Sequence, residues 1–186
     1  MTMRATALAI LAAALGWTAA GCGSSAKSRT TAPPARASMA LTSDFTPGAT
    51  IPRVHTCDGR DISPPVSAGG LPAGTKELVV VMRDPDAPGG NFLHWAIANV
   101  EPAPGSGRAT LRAGAIPAGT VQGRNSFGTL GYRGPCPPPG SAPHHYHITV
   151  YALSRPSMLK TGFSADAVAA LPALATATLI GLYGRR

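Results

Sequence analysis

Two apolar segments joined by a short, stiff turn constrain the fold of this chain more than any other feature. The first runs from Glu77 to Arg83, and the second from Phe92 to Val100. Between them stands Asp84-Pro85-Asp86-Ala87-Pro88, followed by two glycines. Proline fixes its own φ angle, and glycine permits turns that other residues avoid. The pattern therefore predicts two buried strands joined by a loop rather than one long helix.

The composition points the same way for the rest of the chain. There are 22 glycines and 19 prolines among 186 residues, which disfavours long helices and favours short strands with stiff turns. Residues from Met39 to Phe45 alternate in polarity and predict a first strand, and His144 to Leu153 predicts another. The stretch from Leu111 to Gly131 is rich in glycine and gives no clear element.

The predicted strand from His144 to Leu153 has different residues on its two faces, because side chains alternate along a strand. One face carries His144, Tyr146, Ile148 and Val150, and the other carries His145, His147, Thr149 and Tyr151.

Helix is predicted only near the C-terminus. Ser164 is a good N-cap with Asp166 in the first turn, so a short helix is expected over Ala165 to Ala170. Pro172 suits the first turn of a second helix, expected over Leu171 to Leu182. The residues alone therefore predict a mostly β protein with a small helical cap.

The N-terminus has the pattern of an export signal. Arg4 precedes an apolar run from Ala5 to Ala20, which is short for a membrane-spanning helix and typical of a signal peptide. Residues 1–21 are interpreted as that signal, with Ala19-Ala20-Gly21-Cys22 resembling a bacterial lipobox. In that interpretation Cys22 is acylated, residues 22–38 form a flexible tether, and residues 39–186 form the domain. The alternative is an ordinary secretory signal cut near Ala20.

Export places the two remaining cysteines, Cys57 and Cys136, in an oxidising compartment. A disulfide between them is therefore predicted, with two buried free thiols as the alternative. The net charge of +8 comes from scattered basic residues without a cluster, which argues against nucleic-acid binding.

Acids, imidazoles and a phenol fall in two clusters about fifty residues apart. Asp84, Asp86 and His94 surround the first turn. The second cluster, Gly134-Pro135-Cys136-Pro137-Pro138-Pro139, precedes His144 and Tyr146. If the two meet, they form a concave site in which imidazole and phenol groups hold a small anion such as phosphate. The alternatives are a structural turn for the acids and a packed core position for His94.

The sequence offers little support for catalysis or for a metal site. No Gly-x-Ser-x-Gly elbow and no glycine-rich phosphate loop with lysine occurs, and Ser126 has no evident base at fixed spacing. His145 and His147 lack a third ligand at motif spacing, so no metal site and no cofactor are predicted. The sequence therefore favours a binding protein over an enzyme.

These motifs resemble the two signature regions of the phosphatidylethanolamine-binding protein family. Asp84-Pro85-Asp86-Ala87-Pro88 with His94-Trp95 resembles the first, and Gly134-Pro135 with His144-His145-Tyr146 the second. The segment from Thr56 to Pro65 looks like the bacterial branch named for similarity to the Raf kinase inhibitor protein. The resemblance covers residues 39 to 184.

The resemblance implies a mostly β fold of two antiparallel sheets, one large and one small, with short C-terminal helices. It also implies an anion pocket that takes phosphate or phosphoryl head groups. The expected anion-binding residues are Asp84, Asp86, Pro88, His94, Gly134, Pro135, His144 and Tyr146.

The expected function is that of an exported, non-enzymatic protein, anchored in the cell membrane through lipid on Cys22, that binds a small anion or phospholipid head group. The alternative is an extracytoplasmic protein-interaction module such as a protease inhibitor.

Overall fold

The computed structural model describes residues 38–186, which form a three-stranded and a five-stranded antiparallel sheet. The small sheet has the order β1-β2-β5, and the large sheet the order β6-β4-β3-β7-β8. The strands are β1 (Ala40–Thr42), β2 (Val66–Gly69), β3 (Glu77–Asp84), β4 (Phe92–Val100), β5 (Arg108–Leu111), β6 (Val121–Gln122), β7 (His144–Leu153) and β8 (Ala173–Tyr183). A short 3-10 turn spans Arg53–His55, and one α-helix, α1, spans Ala165–Ala169. This architecture confirms the predicted fold class.

Strand β3 lies at the centre of the large sheet and is buried on both faces. Leu78, Val80 and Met82 point into the core between the two sheets. Val79 and Val81 point the other way, into a second core that includes residues of α1. The continuous apolar run is thus explained by burial of both faces, as the sequence predicts.

Strand β7 begins beside the end of β3. Its register places His147 opposite Arg83, and the pairing of β3 with β4 places Phe92 opposite Asp84. The end of β3 and the beginnings of β4 and β7 therefore meet at one end of the large sheet. The expected alternation along β7 is confirmed, since His144, Tyr146, Ile148 and Val150 are all buried.

The prediction of a second helix over Leu171 to Leu182 is wrong. This segment forms strand β8, paired along its length with β7. Alanine and leucine favour helices locally, but pairing with β7 and burial of every second residue near its end override that preference. Gly181 fits this strand because a Cβ there would collide with Ile51 and Phe45. The short helix is confirmed, with the Ser164 hydroxyl accepting from the backbone N–H of Ala167.

The predicted signal peptide, the acylated Cys22 and the tether up to residue 37 lie outside the described residues. Within residues 38–186, no helix combines the length and the apolar character that a membrane crossing requires.

Candidate functional site

A cavity of about 320 Å³ opens where β3, β4 and β7 meet. Two loops complete its walls, namely the turn after β3 and the long segment between β6 and β7, which includes the hairpin around Phe127. The lining residues are Asp84, Ala87, Pro88, Phe92, His94, Phe127, Cys136, Pro137, Pro138, His144 and Tyr146. Five of the residues proposed from sequence thus lie around one hollow: Asp84, Pro88, His94, His144 and Tyr146.

A buried acid and a buried imidazole form the floor of this cavity. Nδ1 of His144 donates to Oδ2 of Asp84 at 2.8 Å, and the other carboxylate oxygen accepts from the backbone N–H of Asp86, also at 2.8 Å. Asp84 is only 3% exposed. The bond fixes the protonated nitrogen of His144 as Nδ1, which leaves Nε2 free to contact a ligand.

The second imidazole, His94, is held by the loop that leads to β7. Its Nδ1 donates to the carbonyl of Arg133 at 2.7 Å, and the backbone N–H of Arg133 donates back to the His94 carbonyl at 3.0 Å. Burial lowers the pKa of His94, although the Arg133 carbonyl and the charge of Asp84 oppose that effect. His94 therefore favours its neutral form.

The hydroxyl of Tyr146 is buried in this site without a hydrogen-bond partner among the described residues. The Tyr146 ring lies edge-on to His94, with centroids 5.2 Å apart, and nearly parallel to His144 at 6.5 Å. Burial, the nearby Asp84 charge and a weak side-chain contact with that carboxylate, which falls short of a hydrogen bond, raise its pKa far above the ordinary value, so the group remains a neutral donor. A buried polar atom without a partner is costly, so this hydroxyl stands out as the unsatisfied group of the cavity.

Sequence reasoning missed the aromatic wall of the cavity. Phe92 and Phe127 meet edge to face at 4.8 Å, and Phe127 also contacts the His94 ring at 5.5 Å. Phe127 lies at the tip of a hairpin in which the side chain of Asn125 accepts from the backbone N–H groups of Phe127 and Thr129. The aromatic character of Phe127 could be seen in the sequence, but its approach to β4 depends on this hairpin.

The opposite wall is made of Cys136, Pro137 and Pro138. Cys136 forms a disulfide with Cys57, in agreement with the pairing proposed from sequence. The bond joins the proline wall to the segment after the 3-10 turn, and the Cys57 N–H donates to the Pro135 carbonyl at 3.1 Å. Proline is rigid and lacks a backbone N–H. The two prolines therefore define the shape of the cavity but donate no hydrogen bond to a ligand.

Three residues proposed as anion ligands do not line the cavity. Asp86 accepts from the backbone N–H and the ring Nδ1 of His145, at 2.8 and 2.7 Å, and these bonds lower its pKa. Gly134 donates to Asp61 at 2.6 Å and lies so close to the His55 carbonyl that a Cβ would collide with it. Pro135 holds Cys57 through its carbonyl. In this structure the three position the loops that carry the cavity walls.

The charges around the cavity are few. Among the described residues that line it there is no arginine and no lysine, and Asp84 is the one carboxylate. Residues 38–186 contain no cluster of three His, Cys, Asp or Glu side chains suited to a metal ion.

A further cavity of about 260 Å³ lies beside Glu77, at the other end of β3. Both carboxylate oxygens of Glu77 are hydrogen-bonded, to Asn99 and Ser157, so this buried acid already has its partners within the protein. The Tyr146 cavity is therefore the stronger candidate for a ligand site.

Comparison with known proteins gives a family for the chain. The family model "phosphatidylethanolamine-binding protein" matches residues 41–184. A UPF0098 protein of Methanothermobacter thermautotrophicus is 46% identical over 139 residues, which cover 73% of this chain and 91% of the relative. The candidate lipoprotein LppC of Mycobacterium tuberculosis is 40% identical over 158 residues, covering 83% of this chain and 76% of that protein.

Solved structures give the same result. The phosphatidylethanolamine-binding protein homologue CT736 of Chlamydia trachomatis superposes with a TM-score of 0.73 at 35% identity, over 81% of this chain and 99% of that one. YbcL of Escherichia coli, described as a member of the mammalian family, superposes with a TM-score of 0.72 at 32% identity, over 81% of this chain and 100% of YbcL. The matched sequence, the shared fold and the motifs around the cavity together show that the chain belongs to the phosphatidylethanolamine-binding protein family.

Proposed function

We propose that this protein is an exported, lipid-anchored binder of small phosphoryl anions, and that it binds them in the Tyr146 cavity without catalysing a reaction. The observation that carries the proposal is the buried hydroxyl of Tyr146, which has no hydrogen-bond partner within residues 38–186 and whose ring packs against the rings of His94 and His144. In the part of the chain that the structure describes, Nε2 of His94 and Nε2 of His144 make no hydrogen bond either, since both rings bond through Nδ1. These three groups can surround an anion that enters from the mouth of the cavity.

Charge supports a small and weakly charged anion. The Asp84 carboxylate repels negative charge, and protonation of His144 is needed to offset it. Since no arginine or lysine lines the cavity, a highly charged anion would be poorly neutralised. A phosphate or a phosphoryl head group with one net negative charge fits better.

Absence of catalysis is supported by the lining. Among the described residues of the cavity there is no serine or threonine, and its one cysteine is held in the disulfide. The hydroxyl of Ser126 accepts from the backbone N–H of Leu93 at 2.9 Å, outside the lining. The high pKa of Tyr146 makes its oxygen a poor nucleophile at neutral pH.

The anchor is proposed from Cys22 at the end of the export signal and from the similarity to LppC. Lipid on Cys22 would hold the domain outside the cytoplasm at the end of the tether. Fractionation of cells producing the wild type and Cys22→Ser tests this part. We expect the wild type in the membrane fraction and the variant released, and a variant that stays with the membrane contradicts it.

Anion binding is tested by titrating the domain with inorganic phosphate while following the histidine side chains by NMR. We expect the signals of His94 and His144 to move and those of His145, which lies outside the cavity, to stay. His144→Ala should weaken binding about tenfold or more, because it removes a donor to a charged oxygen. The matched control is His145→Ala, and equal weakening by both variants contradicts the proposal.

A further inference from the structure

The orientation of His94 fixes which of its nitrogens carries a proton. Nδ1 lies 2.7 Å from the carbonyl oxygen of Arg133. A carbonyl oxygen can only accept, so Nδ1 must carry the hydrogen. In the neutral ring Nε2 is then a bare lone pair. The reciprocal bond from the Arg133 N–H to the His94 carbonyl holds the segment in place.

The surroundings keep this imidazole neutral. His94 is 3% exposed, and its burial disfavours the charged form. The backbone groups of Arg133 and Gly134 act on its pKa in the opposite direction, and so do the charges of two acids, Asp84 and Asp61. Asp84 is bonded to His144 and Asp61 is paired with the Arg133 guanidinium at 3.0 Å, so both acids already have partners. Phe92, Phe127 and Tyr146 supply the uncharged contacts of the ring.

The other two polar groups of the cavity can donate. The Tyr146 hydroxyl carries one hydrogen, and His144 becomes a donor at Nε2 when it is protonated, with Asp84 as its counterion. An anion therefore finds donors at His144 and Tyr146 but an acceptor at His94. An unprotonated anionic oxygen placed against that lone pair would be repelled, and a hydroxyl placed there would donate to it.

We propose that the cavity selects monoanions that carry a proton on one oxygen, such as phosphomonoesters, because that hydroxyl donates to Nε2 of His94. The inference rests on the proposed function and names its ligand class. A phosphodiester has no such hydroxyl, so it would leave His94 without a partner. His94 is thereby the residue that determines specificity, while Tyr146 contributes to affinity for any anion.

The test compares methyl phosphate with methyl sulfate by calorimetry at about pH 6. At that pH a large fraction of methyl phosphate is a monoanion with one P–OH group. Methyl sulfate has the same charge and nearly the same shape without that hydrogen. We expect the methyl phosphate monoanion to bind about tenfold more tightly, or more, because a buried acceptor left unpaired is costly.

Two variants separate the role of His94 in specificity from that of Tyr146 in affinity. His94→Phe keeps an aromatic ring among Phe92 and Phe127 but removes the acceptor, so the two anions should bind within about twofold of each other. Tyr146→Phe should weaken both anions and preserve their ratio. A wild-type protein that binds the two equally overturns the inference and leaves the proposed function standing, whereas one that binds neither overturns both.

A measurement on the wild type keeps the inference testable if His94→Phe does not fold. Nitrogen-15 NMR of labelled histidine distinguishes a protonated from an unprotonated Nε2. We expect Nε2 of His94 to stay unprotonated in the methyl phosphate complex and to shift in the direction of an accepted hydrogen bond. An imidazolium signal for His94 in that complex overturns the inference.

Discussion

Asp84 and His144 form a buried pair with 2.8 Å between Oδ2 and Nδ1, although sixty residues separate them in the chain. Asp86, two residues after Asp84, and His145, one residue after His144, form the same kind of pair at 2.7 Å on the solvent side. The side chains of the first pair are 4% and 10% exposed, and those of the second 43% and 54%. The chain thus offers two chemically matched pairs that differ in burial.

This contrast gives a prediction for stability. Asp84→Ala should lower the free energy of unfolding by about 3–5 kcal/mol, because a buried partner is left unpaired. Asp86→Ala should cost about 1 kcal/mol or less, since water replaces the lost contact. Urea denaturation of the two variants measures both values. Equal losses in the free energy of unfolding would mean that the burial of the Asp84–His144 pair adds nothing to stability.

The hydroxyls of Tyr146 and Tyr132 give a second matched test. Within residues 38–186 that of Tyr146 has no hydrogen-bond partner, whereas that of Tyr132 donates to the carbonyl of His55. Tyr146→Phe should leave the ligand-free protein equally stable or more stable by about 1 kcal/mol, and weaken phosphate binding about tenfold. Tyr132→Phe should instead cost about 1 kcal/mol of stability. Thermal unfolding and calorimetric titration separate the two effects, and a Tyr146→Phe protein that loses stability contradicts the assignment.

Stability should depend on pH through His94. Its pKa in the folded state lies below the ordinary value of 6.5 because the ring is buried. The unfolded chain therefore takes up a proton first as the pH falls, and folding loses stability from about pH 7 downward until the folded pKa is reached. We expect the free energy of unfolding, measured from about pH 7 down to about pH 5.5, to fall with the pH in the wild type.

The control for that prediction is His94→Phe, which lacks the titrating group and should lose less stability over the same pH range. The range lies above the pKa of ordinary carboxyl groups, so the lowered pKa of Asp86 does not contribute. An identical pH profile in both proteins would show that His94 is not the cause.

The disulfide should stabilise the domain strongly. It closes a loop between residues 79 positions apart, and restricting the unfolded chain over such a loop is worth about 4 kcal/mol. Reduction, or the double change of Cys57→Ser and Cys136→Ser, should lower the unfolding temperature. Because Cys136 lines the cavity, phosphate affinity should fall as well. Unchanged affinity after reduction would show that the loop is held in place by its hydrogen bonds to Cys57 and Asp61 alone.

Local patterns in the sequence were sufficient for the central strands. The run of apolar residues in β3 can only be satisfied by burial on both faces, and the alternation in β7 separates His144 and Tyr146 from His145. The order of the motifs also indicated which end of each strand carries the acids and imidazoles. These features depend only on residues that are close together in the chain, so the order of apolar and polar residues is enough to predict them.

Contacts between distant segments were decided by the tertiary structure alone. β8 is a strand because β7 offers it a full set of backbone partners, which outweighs the local helix preference of its alanines and leucines. Phe127 reaches the cavity because a hairpin folds it onto β4, and Asp86 turns away because His145 offers it two donors. Strand periodicity is a property of neighbouring residues, whereas the partner of an edge strand, a hairpin tip or a carboxylate is fixed only when the chain has folded.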